Sequence, residues 1–244
     1  MDGYLKARAA RDNTPFRPFD AKADYRQYVD GKPRYDGVRS FLESRGISLP
    51  YGDPSDEPDR ETICGIGNKK NLIFHELLNT RGVTVFEASI ALIHKLRAQG
   101  IKTAIVSSSK NCAAVLEKAD LSELFDVRVD GVESARLNLP GKPAPDTFLE
   151  AARRLGVAPA RAVIVEDAIA GVQAGRNGKF GLVIGVAGEG NHAALYEHGA
   201  DMVVADLGAI TLNEGDPAGA KDAPTVPSAL ARYAESADSS PCSE

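Results

Sequence analysis

From Ile101 onward the chain repeats one pattern, a short apolar run followed by a helical stretch, and that repeat leaves few folds open. The sequence predicts strands over 103–106, 125–129, 162–165, 180–186 and 201–204, and helices over 111–118, 146–155, 168–176 and 192–198. Runs rich in Val and Ile, set between helices, are buried on both faces, which is the pattern of a parallel doubly wound α/β sheet. Such a sheet places its sites outside the carboxyl ends of its strands. Ser107 and the pair Glu166-Asp167 both fall at such ends.

The first hundred residues carry a different period. Val38, Phe41 and Leu42 recur at helical spacing over 36–45, with Gly46 as the stop. A helix is expected over about 60–80, with Leu72, Ile73, Leu77 and Leu78 as its apolar stripe and Gly82 at its end. Another is expected over 87–99, with Ile90, Leu92, Ile93 and Leu96 inward. The three prolines and two aspartates of 49–58 read as an exposed loop. A helical segment before a sheet domain implies a cap over 1–85 and a core over 86–212. Residues 213–244, rich in Gly, Pro, Ala, Asp and Ser, read as a linker or disordered tail, with room for a short helix over 227–237.

Composition removes several function classes. Hydrophobic residues make up 43% of the 244, enough for a sizeable core, and the net charge of −5 comes with no basic stripe for nucleic acid. No apolar run has the ~18–20 residues a membrane-spanning helix needs. Cys64, Cys112 and Cys242 are widely spaced and odd in number, which fits neither a disulfide framework nor a zinc site and points to a reducing cytoplasm. His75, His94, His192 and His198 show no metal-ligand spacing. Gly65-Ile66-Gly67 and Gly185, Gly188 and Gly190 lack the context or spacing of a dinucleotide-binding loop, and read as backbone features.

Three sites carry chemistry, each with a plainer alternative. After the apolar run 103–106, Ser107, Ser108 and Ser109 offer hydroxyls and backbone N–H groups to an anion, while Lys110 adds charge and Asn111 a donor. The alternative for this turn is an ordinary serine helix cap. Lys142, in Gly141-Lys142-Pro143, is placed to neutralise a phosphate, or is a surface lysine. Adjacent carboxylates at a buried strand's end, Glu166 and Asp167, are costly without a cation or hydrogen bonds. Magnesium takes few carboxylates and keeps water and phosphate oxygens, so this pair suits it; helix capping is the alternative.

Taken in order, Ser107, Lys142 and Glu166-Asp167 resemble the second, third and fourth motifs of the haloacid dehalogenase superfamily, over residues 20–207. The resemblance is closest to its β-phosphoglucomutase branch. It implies a Rossmann-like core with an α-helical cap, and magnesium-dependent phosphoryl transfer on a small sugar phosphate. Ser107 and Lys142 would hold the transferring phosphate, the turn through Ser109, Lys110 and Asn111 the distal phosphate, and Glu166 and Asp167 the Mg2+. Gly31-Lys32-Pro33-Arg34 resembles the cap loop whose arginine grips that distal phosphate, and Lys70-Asn71 the cap's sugar-contacting lysine and its neighbour. Without the resemblance, Arg34 reads as a surface arginine and Lys70 as a solvated helix face. Asp30 stands where the mutase pattern has a lysine.

One motif has no counterpart. The family's nucleophile and acid–base pair, Asp-x-Asp at the end of the first strand, occurs nowhere among the nineteen aspartates. Asp36-Gly37-Val38 and Asp130-Gly131-Val132 mimic the end of that motif, but Arg34 and Arg128 occupy the nucleophile's place. The expectation is a core whose first strand is missing, a cap truncated at its N-terminus, and a chain inactive alone. A sugar-phosphate phosphatase is the alternative enzyme. A non-catalytic fragment of a larger trehalose- or glucose-phosphate protein is the alternative of another class, since Pro227–Tyr233 is similar to the lead-in of trehalose-phosphate phosphatase domains.

Overall fold

In a computed structural model that describes residues 1–187, 191–210 and 212, those residues form five short parallel strands and nine α-helices. The tail 213–244, the helix expected over 227–237, and Gly188 and Gly190 lie outside those residues. The chain divides into two units: Met1–Thr84 with Asn111–Asp120, and Val85–Lys110 with the chain from Leu121.

The first unit holds α1 (Asp2–Arg11), a π-helical turn (Tyr25–Val29), α2 (Arg34–Ser44), α3 (Ile63–Arg81) and α5 (Cys112–Lys118). Its core joins Leu5 of α1 to Val38, Phe41 and Leu42 of α2 and Ile63 and Ile66 of α3. Thr62 starts α3: its hydroxyl oxygen accepts from the Gly65 N–H at 2.9 Å while the hydroxyl donates to the buried Asp56 carboxylate at 2.7 Å. Gly65 permits that tight entry, since a Cβ there would lie 2.3 Å from the Arg60 carbonyl oxygen.

The expected apolar stripe of α3 is corrected here. Leu78 is buried, but Leu72, Ile73 and Leu77 are exposed, and the helix instead buries Ile63, Cys64 and Ile66. Close packing selects that face. Gly67 lets the Tyr35 ring of α2 come to where a Cβ would be 2.7 Å away. α4 also buries less than expected, with Leu92 inside and Ile90, Ile93 and Leu96 half-buried.

The second unit carries α4 (Glu87–Ala98), β1 (Ala104–Val106), β2 (Val127–Val129), α6 (Gly131–Arg136), α7 (Asp146–Leu155), β3 (Val163–Glu166), α8 (Ile169–Asn177), β4 (Leu182–Val186), α9 (His192–Glu197) and β5 (Met202–Val204). β1 pairs in parallel with β2, and β4 pairs in parallel with β3 and β5. Among the described residues no hydrogen bond joins β1–β2 to β3–β4–β5, so the sheet lies in two pieces. The pieces share one core: Phe148 and Ala152 of α7, Ile164 of β3, Val172 of α8 and Val183 of β4 cluster together, with Val106 of β1 packed against them. α6 was not expected. Asp130 starts it, its carboxylate accepting from the Val132 and Glu133 N–H groups at 2.9 and 3.1 Å, so Asp130-Gly131-Val132 is a helix cap.

Candidate active site

Each unit presents a polar cluster built from the candidate residues. In the second unit, the loop before α7 carries Lys142 inward, where its ammonium pairs with the Glu166 carboxylate at the end of β3. The two side chains are only 5% and 9% exposed. The Lys142 ammonium also lies 4.7 Å from the Phe148 ring centroid, which favours a cation on the ring face. Glu166 accepts as well from the Ala168 N–H at 3.4 Å, at the start of α8, where the helix dipole favours negative charge. Gly171 makes room for this: a Cβ there would be 2.2 Å from the Glu166 carboxyl carbon. The capping alternative therefore accounts for part of what Glu166 does. Asp167 is exposed.

At the end of β1, the Ser107 N–H donates to the Val129 carbonyl at 3.0 Å and carries the β1–β2 ladder one residue further. The Ser107 hydroxyl oxygen accepts from the Ser109 N–H at 3.1 Å. The Gly131 N–H donates to the Ser109 carbonyl at 3.1 Å, pinning the turn against the start of α6. A side chain at Gly131 would collide with that turn, its Cβ 2.7 Å from the Ser108 carbonyl oxygen. The serine-cap alternative fails, because α5 begins at Cys112 and its capping position is Asn111. Ser107 and Ser108 are half-buried; Ser109 and Lys110 are exposed.

In the first unit, Arg34 is the first residue of α2. Its guanidinium donates to the Asn71 carboxamide oxygen on α3 at 2.7 Å, and the Asn111 side-chain amide donates to the same oxygen at 2.7 Å. Lys70 is exposed by surface, yet its ammonium is held below its ordinary range, first by desolvation and then by the neighbouring Arg34 charge. The structure thus joins Arg34 to Asn111 through Asn71, with Lys70 beside them, and joins Lys142 to Glu166. Asn71 was not singled out as a site residue. Its only signal was its place after Lys70 on the same helix.

A family model for the haloacid dehalogenase-like hydrolases matches residues 5–179. The chain belongs to that family. It is 48% identical over 210 residues to a β-phosphoglucomutase of Mycobacterium tuberculosis, covering 85% of this chain and 80% of that protein. It is 40% identical over 235 residues to an uncharacterized glycosyl hydrolase of the same organism, covering 96% of this chain and 17% of that much longer protein. A crystal structure of β-phosphoglucomutase from Clostridium difficile matches with a TM-score of 0.63 at 20% identity, over 86% of this chain and 85% of that one, which shows the shared fold. The α/β architecture with parallel strands and many helices is therefore that of the haloacid dehalogenase-like hydrolases.

For this haloacid dehalogenase-like chain, the fit to a magnesium ion is partial. Among the described residues no group of three His, Cys, Asp or Glu side chains converges on a metal position. Glu166 is already engaged by Lys142, which leaves Asp167 as the open carboxylate. One or two carboxylates suffice for Mg2+ only when substrate phosphate and water complete the shell. The residues therefore fit an ion that arrives with phosphate, and do not fit a standing, tightly held one. No helix in the described residues is long and apolar enough to cross a membrane.

Proposed function

We propose that this chain carries the substrate-holding part of a β-phosphoglucomutase-like site for phosphoryl transfer on a sugar phosphate. The observation that carries the reading is the buried Lys142–Glu166 pair at the carboxyl end of β3, in a chain 48% identical to a β-phosphoglucomutase. Burying a charged pair is costly, and a buried lysine beside the ligand end of a parallel sheet is placed to meet an anion. Ser107 supplies a hydroxyl for the transferring phosphate at the end of β1, and Lys142 its neutralising charge. In the other unit Arg34 and Asn111 supply donors for a second phosphate and Lys70 meets sugar hydroxyls, while the turn through Ser108, Ser109 and Lys110, in the unit of Ser107, offers further donors to phosphate. Two phosphate subsites are what a mutase needs, since the group leaves one carbon's oxygen and returns to another's on the same sugar.

Mg2+, when bound by Asp167 and Glu166, would supply charge neutralisation on the phosphate oxygens. The chain's own residues bind and orient; the covalent step needs a nucleophilic carboxylate, and the Asp-x-Asp pair is not in this sequence. The chain alone is therefore expected to bind sugar phosphate without turnover. Cys64 and Cys112 are buried and form no disulfide among the described residues, which fits a reducing cytoplasm.

Incubation of the full chain with β-glucose 1-phosphate and Mg2+, followed by product analysis, tests this. Saturable binding with neither glucose 6-phosphate nor free phosphate released is the expected result. Glucose 6-phosphate formation would overturn the claim of inactivity alone. Free phosphate would move the activity to a sugar-phosphate phosphatase. No binding of glucose 1-phosphate or glucose 6-phosphate would overturn the reading itself.

A further inference from the structure

Asn71 accepts from two partners through one atom. Its carboxamide oxygen takes a hydrogen bond from the Arg34 guanidinium and one from the Asn111 amide, both at 2.7 Å. A carboxamide oxygen has two lone pairs, so these two donors use its full capacity. α3 is fixed at this point independently of Asn71. One turn earlier, Asn68 accepts from the Tyr35 hydroxyl at 2.9 Å and donates to the Pro54 and Asp56 carbonyls at 3.0 and 2.8 Å. Asn68 and Asn71 lie three residues apart and so on one helix face, while Tyr35 and Arg34 are consecutive on α2. The result is a doubly clasped seam, in which the Asn68–Tyr35 clasp sets the helices and the Asn71–Arg34 clasp aims a cation.

The choice of a neutral acceptor has a chemical consequence. A carboxylate at position 71 would hold Arg34 equally well, but would neutralise it and repel an incoming anion. A carboxamide fixes the guanidinium while leaving its full charge, and its remaining N–H groups, for a ligand. Arginine presents five N–H donors in a rigid fork suited to phosphate, and one of them is spent on Asn71.

We propose that Asn71 is a positioning residue: it holds the Arg34 guanidinium and the Asn111 amide at a common anchor and so pre-forms a subsite for a phosphate monoester dianion. This rests on the reading of Arg34 and Asn111 as phosphate-binding residues. Asn71 acts through Arg34 and Asn111 and need not touch the phosphate.

Calorimetric titration of the full chain with glucose 6-phosphate tests the proposal, with glucose as the non-ionic control. Asn71→Ala is expected to weaken binding on the order of tenfold, the scale of one charge-assisted hydrogen bond. In an Arg34→Ala background, Asn71→Ala is expected to change affinity less than twofold, because the group it positions is gone. Asn71→Asp, which keeps both acceptor bonds, is expected to weaken binding at least as much as Asn71→Ala while melting at or above the wild-type temperature. A structural role alone predicts the reverse on two counts. Asn71→Ala would lower affinity equally in both backgrounds, and Asn71→Asp would bind as the wild type does; either result overturns the proposal. If the wild type binds and Arg34→Ala weakens it while Asn71→Ala does not, the positioning role falls and the phosphate subsite stands. If the wild type fails to bind glucose 6-phosphate, the subsite falls and the positioning role with it.

Discussion

Lys142 and Glu166 form an ion pair that is almost wholly buried. Removing one partner leaves an uncompensated buried charge, so Lys142→Met is expected to cost about 3–5 kcal/mol of stability. The double variant Lys142→Met/Glu166→Gln, which removes both charges, is expected to recover much of that loss; urea titration of the two variants decides it. A double variant no more stable than the single would mean that Phe148 and the Ala168 N–H, not the pairing, set the energetics. Gly171→Ala is expected to cost on the order of 1–3 kcal/mol by overpacking, because its Cβ would fall on the Glu166 carboxylate. At this scale the sequence was legible for residue identity and not for partnership. Lys142 and Glu166 are 24 positions apart, and nothing in either local run says that they meet. Asn71 was illegible for the same reason. Its two donors come from positions 37 and 40 residues away.

The strands were legible because β-rich apolar runs between helices leave little choice, and each expected strand overlaps an observed one. α3 was legible as a helix and misread as a surface, since it carries apolar residues on more than one face and only the glycines at 65 and 67 decide which face can be approached. Substitutions on the two faces should therefore differ sharply. Ile66→Ala is expected to cost about 2–5 kcal/mol as a core truncation, and Leu77→Gln to stay within about 0.5 kcal/mol as a surface change. Equal losses in thermal melts would restore the originally expected stripe. α1 is tied to the segment before α3 by charge. The Arg11 guanidinium donates to both Glu61 oxygens at 2.8 and 2.7 Å, and the Tyr4 hydroxyl donates at 3.0 Å. These contacts, Arg11 first, hold the Glu61 carboxyl at about 2. Its folded pKa is thus below the unfolded value of about 4.3. The stabilisation is fully present above that value and is lost as pH falls toward 2. Glu133, between Arg136 and Arg154, and Glu150, between Arg153 and Arg154, are also held at about 2. Glu61→Gln is expected to flatten the acid loss of stability between pH about 4.5 and 2 only in part. Because Glu61 is partly exposed, the effect should shrink in high salt. An unchanged pH profile of the urea midpoint would remove this tie.

The whole second unit is shaped by the division of its sheet. β1 and β3 each pair on one side only, and Val163 and Val165 of β3 are 37% and 42% exposed although parallel sheets are ordinarily covered on both faces. Unpaired strand edges of this kind accept a further strand. Both pieces share one core through Val106 and Ile164, so an added strand would gain the edge of either and cover the same apolar surface. Fuller burial of the two valines would contribute on the order of 1 kcal/mol each, before counting the added strand's own side chains. The chain alone is accordingly expected to melt below about 60 °C. A peptide of β-branched apolar residues ending in Asp-x-Asp is expected to raise the melting temperature with increasing concentration, by linkage of binding to folding. A scrambled peptide of the same composition is expected to leave it unchanged. If the aspartates then reach the carboxyl ends of β1 and β3, where Ser107 and Lys142 lie, the same mixture should convert glucose 1-phosphate, which the chain alone is expected not to do. A cooperative melt above about 60 °C for the chain alone would show that the divided sheet is complete as it stands. Stabilisation by peptide without conversion would keep the edge-pairing and refute the placement of the nucleophile.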